Sequence, residues 1–294
     1  MSTEANPISY RNEIGPDQKL QALVCALDAD PFLFRPERLL KRLIALDELD
    51  AAFCNLNSGR AKALRSQLEA ANAELYQSVR SEIVGEGWSR TLHQWMEPTV
   101  RDEKTRGPLP GLSFDIRDEI VSDVLQLREP SETSLARSPE MAPYQPTPVR
   151  HILDLIVASK LSSTDLLVDL GSGLGHVSLL VSILTGIRTL GVEVQSEYVA
   201  SAQECAHCLY LSQAKFIAED VRDADLSTGS VFYLYSPFTG SILTEVLRAL
   251  RRESTKRLIK ICSLGPCTSA LANEPWLKAN TRPDSERIAI LEPR

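Results

Sequence analysis

Val168-Asp169-Leu170-Gly171-Ser172-Gly173-Leu174-Gly175 stands between the apolar run Leu166–Leu170, which it overlaps, and a second apolar stretch, Val177–Leu184. A short run of Leu and Val closed by glycines reads as a buried strand, and the longer stretch after it as a helix. Glycines between the two let the backbone turn sharply and approach a ligand closely. The spacing is D-x-G-x-G-x-G. The dinucleotide fingerprint G-x-G-x-x-G would place its third glycine where His176 stands, and the Gly-Lys-Ser/Thr ending of a phosphate-cradling loop is absent. Asp169 sets a carboxylate beside the glycines. It repels a pyrophosphate and suits a ligand that carries an ammonium and a sulfonium.

The same alternation continues outward from this stretch. Val149–Ser159 reads as an amphipathic helix before it. After it come a strand at Thr189–Val194, a helix at Ser196–Leu209, a strand at Lys215–Ala218, and a strand at Val231–Tyr235. A helix at Ser241–Arg251 and a strand at Arg257–Ser263 follow. Strands alternating with helices imply right-handed βαβ units and a mostly parallel sheet. Trp276–Asn280 and Arg287–Leu291 are short strand patterns around a Pro-Asp turn, and such a hairpin adds an antiparallel strand. The expected fold is α/β: a Rossmann-like, doubly wound, mostly parallel sheet with a C-terminal antiparallel hairpin, preceded by an all-α N-terminal domain.

Acidic residues close the neighbouring strands. Glu193 ends the second, where a carboxylate can accept both hydroxyls of a ribose. Glu219-Asp220-Val221 follows the third, where an acid can reach an adenine amino group. Acids at the ends of three adjacent parallel strands line the crevice in which such sheets bind ligands.

Ahead of this region the texture is helical. Residues 1–16 read as a loose arm. Leu39, Leu40, Leu43, Ile44 and Phe53 recur at helical spacing within Pro36–Asn55. Ala61, Leu64, Leu68, Leu75, Val79 and Ile83 mark a long helix that Gly85 and Gly87 end. Shorter helices are expected at Arg90–Met96 and Asp115–Leu127, either side of a breaker-rich loop at Gly107–Gly111. Proline-rich Glu129–Pro148 reads as a linker. The expected organisation is a helical domain over 1–128, a linker and closing loop over 129–148, and a ligand-binding domain over 149–294.

The chain holds 294 residues with 32 Lys+Arg against 39 Asp+Glu, a net charge of −7. With 43% hydrophobic and 24% charged residues it is an ordinary globular composition, which excludes collagen-like and wholly disordered classes. Neither half is a polybasic body that grips phosphates, so there is no strong nucleic-acid signal. Arg248, Arg251, Arg252, Lys256, Arg257 and Lys260 read as the basic end of a helix and the entry to a strand. No apolar run suits a membrane helix, and the opening residues lack a secretory pattern, so a cytoplasmic location is expected. Cys205, His207 and Cys208 have no second C-x-x-C partner, so they read as helix cysteines and no metal is expected. His176 reads as a packing or capping residue rather than a base.

Residues 141–294 resemble the class I S-adenosylmethionine-dependent methyltransferases, and within them the histone-lysine methyltransferases that lack a SET domain. That type shows Tyr-x-x-Thr ahead of the fold, Val-Asp-Leu-Gly-Ser-Gly-x-Gly, and Gly-Val-Glu. These are matched at Tyr144–Thr147, Val168–Gly175 and Gly191–Glu193. The resemblance implies S-adenosyl-L-methionine as cofactor. Asp169, Gly171, Ser172, Gly173 and Gly175 would surround its methionine part. Glu193 would hold the ribose and Asp220 with Val221 the adenine, while Tyr144 and Thr147 close over the cofactor. At the fourth strand the histone enzymes carry Asn and, shortly after, Phe; this chain has Tyr235-Ser236-Pro237-Phe238. The loop is also similar to the Asn/Asp/Ser-Pro-Pro-Tyr/Phe loop of amino-methylating enzymes, short of one proline. Tyr235, Ser236 and Phe238 are therefore the candidate acceptor residues. The acceptor stays open between a protein nitrogen and a small molecule, and a non-catalytic scaffold is the third reading.

Overall fold

The computed structural model describes residues 16–53, 59–97, 114–131, 138–280 and 282–294. The arm before residue 16 and the loop at 107–111 lie outside them, as does the linker's centre at 132–137. Between Tyr76 and Gln77 the chain divides into two compact units.

The first unit contains α1 (Pro16–Asp28), a 3-10 turn (Pro36–Arg38), α2 (Leu39–Phe53) and the first part of α3 (Gly59–Glu86). Leu20, Val24, Leu27, Leu33, Leu49, Leu64 and Leu68 form its core. Leu39 and Leu43 of α2 are buried, whereas Leu40 and Ile44, expected on the same stripe, are exposed. The inward face instead includes Arg42, Ala45 and Leu49. Arg42 is tolerated there because three of its guanidinium N–H groups find acceptors. It donates to Asn72 Oδ1 at 2.6 Å and to the carbonyls of Leu33 at 2.9 Å and Arg35 at 2.7 Å.

In the second unit, α3 ends where the Gly87 N–H donates to the Ile83 carbonyl at 2.7 Å with φ +74°. Ser89 caps α4 (Arg90–Met96) by accepting from the Leu92 N–H. Asp115 and Asp118 form a capping box on α5 (Ile116–Leu125). Asp118 also accepts from the Val149 N–H at 2.7 Å, joining α5 to α6 (Val149–Ser159).

The sheet follows with β1 (Leu166–Leu170), α7 (His176–Thr185), β2 (Arg188–Glu193), α8 (Ser196–Cys208), β3 (Ala214–Ala218) and β4 (Val231–Tyr235). α9 (Gly240–Ser254), β5 (Lys260–Leu264), α10 (Cys267–Ala272), β6 (Leu277–Ala279) and β7 (Ala289–Pro293) complete it. The strand order is β3-β2-β1-β4-β5-β7-β6. Pairs among β1 to β5 are parallel, and β7 runs antiparallel between β5 and β6. This is the expected Rossmann-like, mostly parallel sheet with its terminal antiparallel hairpin. The order reverses between β1 and β4, so their C-terminal ends open the crevice where a ligand binds. Asp169 is in register with Gly191 on one side and Tyr233 on the other.

β5 begins at Lys260, not Arg257. The Arg257 guanidinium instead bonds the carbonyls of Leu226 at 2.6 Å and Gly229 at 2.8 Å, and pairs with Glu253. Lys260 donates to the Ser159 carbonyl at 2.7 Å and Lys256 pairs with Glu253 at 2.8 Å. These cations of the basic stretch fasten the turn between α9 and β5. No helix among the described residues is long and apolar enough to cross a membrane.

Candidate active site

A cavity of about 1190 Å³ opens at the C-terminal ends of β1, β2 and β4. It exceeds the roughly 300–1,000 Å³ of a single small-molecule site. Asp169, Gly171, Ser172, Gly173, Glu193, Asp220 and Val221 all line it, together with Tyr144, Thr147, Tyr235, Ser236 and Phe238. Gly175 is absent from this lining and sits behind, as the left-handed residue that starts α7 with φ +83°. A Cβ there would lie 2.5 Å from the Phe216 ring, so helix and sheet approach closely only with glycine.

The glycine loop is held to β2. The Gly171 and Ser172 N–H groups donate to the Val192 carbonyl at 2.8 and 3.0 Å. Glu193 accepts from the Gly173 N–H through Oε2 and from the Gln195 N–H through Oε1, each at 2.9 Å. A carboxylate oxygen has a second lone pair, so both retain capacity toward ribose hydroxyls. Asp169 is 3% exposed. Burial, then the Glu193 charge, pushes its carboxyl up to about 8. Among the described residues that line the cavity, Glu129, Asp169, Glu193, Glu219 and Asp220 are acidic and none is Lys or Arg.

Residues 138–147 form the facing wall. The Tyr144 ring lies on Gly173, so closely that a Cβ there would stand 2.6 Å from its Cδ2. Its hydroxyl bonds His176 Nδ1 at 3.1 Å, and the ring tilts against Tyr198 at 5.1 Å. Burial drives the Tyr144 hydroxyl well above its ordinary value and His176 down to about 4, so the imidazole is neutral. Thr147 Oγ1 meets the Tyr233 hydroxyl at 3.1 Å, both side chains being buried. Sequence reasoning missed Tyr233, which sits in an apolar run and reads as core, and assigned His176 no partner.

The acceptor candidates separate in role. Tyr235 lines the cavity with its hydroxyl buried and without a hydrogen-bond partner among the described residues. Phe238 is 4% exposed and belongs to the core. Ser236, expected to help orient an acceptor, uses its hydroxyl on the backbone: it donates to the Leu264 carbonyl at 3.1 Å and accepts from the Cys267 N–H at 2.9 Å. It adopts φ +44°, a conformation that L-residues enter at a cost, and these bonds hold it there. Asp220 is gripped by Arg222, with Oδ2 2.7 Å from Nη2 and Oδ1 2.9 Å from Nε, which holds its carboxyl below the ordinary range. Cys205 Sγ faces the Leu125 carbonyl at 3.2 Å, Cys208 is exposed and His207 stacks on Tyr210.

Residues 141–233 match the sequence profile of a family described as histone methylation protein DOT1. The match covers Tyr144–Thr147, the glycine loop and Glu193, the residues that carry the resemblance read above. No curated protein matches the chain by sequence. Among solved structures it is similar to an RNA methyltransferase from Salinibacter ruber in complex with S-adenosyl-L-homocysteine. There the identity is 22%, the coverage 50% of this chain and 92% of the other, and the TM-score 0.41. The human methyltransferase 10 domain containing protein is 14% identical over 59% of this chain and 91% of its own, with TM-score 0.40. A Pyrococcus abyssi tRNA (uracil-54, C5)-methyltransferase in complex with S-adenosyl-L-homocysteine is 16% identical over 51% of this chain and 39% of its own, with TM-score 0.39.

Proposed function

We propose that the protein is an S-adenosylmethionine-dependent methyltransferase that transfers a methyl group to a nitrogen acceptor on a protein. The observation that carries this reading is the buried Asp169 with the half-buried Glu193 beside it at the glycine loop, in a cavity lined by no Lys or Arg among the described residues. Such a pair fits a ligand that brings its own positive charge, as the ammonium and sulfonium of S-adenosylmethionine do. The family match over 141–233 supports it.

When bound, the cofactor supplies a methyl group already activated on a sulfonium. The chain's own residues then bind, align and exclude water. Asp169 would release its proton to solvent and hold the cofactor's ammonium as a carboxylate. Gly171, Ser172, Gly173 and Gly175 shape the loop around the methionine part. Glu193 would accept from the ribose hydroxyls, and Asp220 with Val221 would border the adenine. Tyr144 and Thr147 cover the site. Tyr235 offers its unpartnered hydroxyl at the acceptor end, Phe238 packs that end, and Ser236 positions the loop between them. Residues 149–294 act as the catalytic domain and 129–148 as its closing segment.

A nitrogen on a protein suits the acidic lining better than a phosphate-bearing acceptor, which the same carboxylates repel. The family description points the same way. Calorimetric titration of the purified chain with S-adenosylhomocysteine, before and after Glu193→Ala, tests the cofactor site. The expected weakening is about 10–100-fold, the worth of charge-assisted hydrogen bonds of about 1.5–3 kcal/mol. Labelled methyl transfer to lysine-bearing proteins and to RNA then tests the acceptor. Absence of binding by the intact chain rejects the reading, and transfer to RNA alone rejects its acceptor part.

A further inference from the structure

The cavity has two ends: the glycine loop on one side, and the loop after β4 with its Tyr235 and Phe238 on the other. One segment, 138–147, touches both. At the first end Tyr144 bonds His176 and Thr147 bonds Tyr233. At the second, the Thr239 N–H donates to the Glu140 carbonyl at 2.8 Å and the Ala142 N–H to the Pro237 carbonyl at 3.0 Å. These bonds flank an antiparallel bridge between Met141 and Phe238.

Glu140 is the clasp of this arrangement. Thr239, at the N-cap of α9, makes no side-chain cap. The Glu140 carboxylate supplies one from a hundred residues upstream. Oε1 accepts from the Ser241 N–H at 3.1 Å, and Oε2 accepts from the Ser241 hydroxyl at 2.7 Å and the Ile242 N–H at 3.2 Å. A carboxylate at a helix N-terminus satisfies orphan donors and complements the helix dipole. Gly240 leaves room for it, since a Cβ there would run into that carboxylate.

Resting on the methyltransferase reading, we infer that Glu140 is a positioning residue that couples the two ends of the cavity. Closure of 138–147 over the cofactor sets the 235–239 loop, so cofactor binds first and the acceptor end is ordered afterwards. Coupling of this kind requires an element that both sites bias, and the 138–147 segment is that element.

The test is hydrogen exchange on the full chain with and without S-adenosylhomocysteine, in the parent, Glu140→Ala and Glu140→Gln, with affinities from calorimetry. In the parent, ligand slows exchange in peptides covering 144–147 and also in those covering 238–243, on the order of 5-fold or more. Glu140→Ala keeps its affinity within about 3-fold and its protection at 144–147, but loses that at 238–243; Glu140→Gln, which retains one acceptor oxygen, lies between. Protection confined to 144–147 in the parent overturns the inference, as does full protection of 238–243 in Glu140→Ala. A Glu140→Ala protein that melts lower and loses protection throughout marks a merely structural role and overturns it too. A parent chain that binds no S-adenosylhomocysteine overturns the methyltransferase reading and this inference together, a result distinct from the others.

Discussion

Replacing Asp169 by Asn separates what this residue does for the cofactor from what it does to the fold. Asp169 is almost wholly buried, and burial raises its carboxyl from 3.8 to about 8. Its folded pKa lies above its unfolded one, so between the two values the native state holds more protons than the unfolded state. Stability therefore falls as pH rises from about 4 to about 8. At pH 7, roughly three pH units above the unfolded value, the cost at about 1.4 kcal/mol per unit is about 4 kcal/mol. At pH 5 it is less than half of that, under about 2 kcal/mol. Asn has nearly the same shape and no charge, so Asp169→Asn removes this cost, and these figures are ceilings on the gain. For a unit of this size each kcal/mol moves the melting temperature by roughly 2–4 °C, a ceiling of roughly 8–16 °C at pH 7. The same change deletes the partner of the cofactor's ammonium, and affinity for S-adenosylhomocysteine should fall at least about 10-fold. The assay is thermal melting of both proteins at pH 5 and pH 7, with and without S-adenosylhomocysteine. His176, neutral and depressed to about 4, is common to both and cancels in the difference. A variant no more stable than the parent at pH 7, or one whose advantage does not grow between pH 5 and pH 7, refutes the reasoning.

Other substitutions probe the walls of the site and the first unit. Gly173→Ala puts a Cβ into the Tyr144 ring at φ +52° and should weaken S-adenosylhomocysteine binding about 10-fold or more; Tyr144→Ala in the same chain should restore part of it in calorimetry. Thr147→Val strands the buried Tyr233 hydroxyl and should cost about 1–3 kcal/mol in urea unfolding, while Thr147→Ser should cost less. Arg42→Ala leaves the Leu33 and Arg35 carbonyls without their donor, and should destabilise the first unit by about 2–4 kcal/mol in urea unfolding.

Local spacing along the chain encodes the frame of this fold. The apolar run closed by glycines at 166–175, the strand–helix alternation after it and the terminal hairpin specify a handed βαβ sheet, because chain chirality leaves few other ways to connect parallel strands. From that topology it follows that Asp169 and Glu193, at the ends of adjacent strands, reach one crevice. The tertiary structure decided what depends on partners far along the chain. Leu40 and Ile44 share helical spacing with Leu39 and Leu43, but packing chose which side faces in, and hydrogen bonds made room for Arg42 there. Arg257 reads as the start of a strand until the carbonyls of Leu226 and Gly229 claim it for the preceding turn. Ser236 reads as a polar group for a substrate until Leu264 and Cys267 take its hydroxyl. Thr147 with Tyr233, and Glu140 with Ser241, meet across 86 and 101 residues. Hydrogen bonds of this kind depend on distances that only the packed chain defines. Periodicity marks the faces and ends of elements, whereas the pairing of polar groups is settled when those elements close on one another.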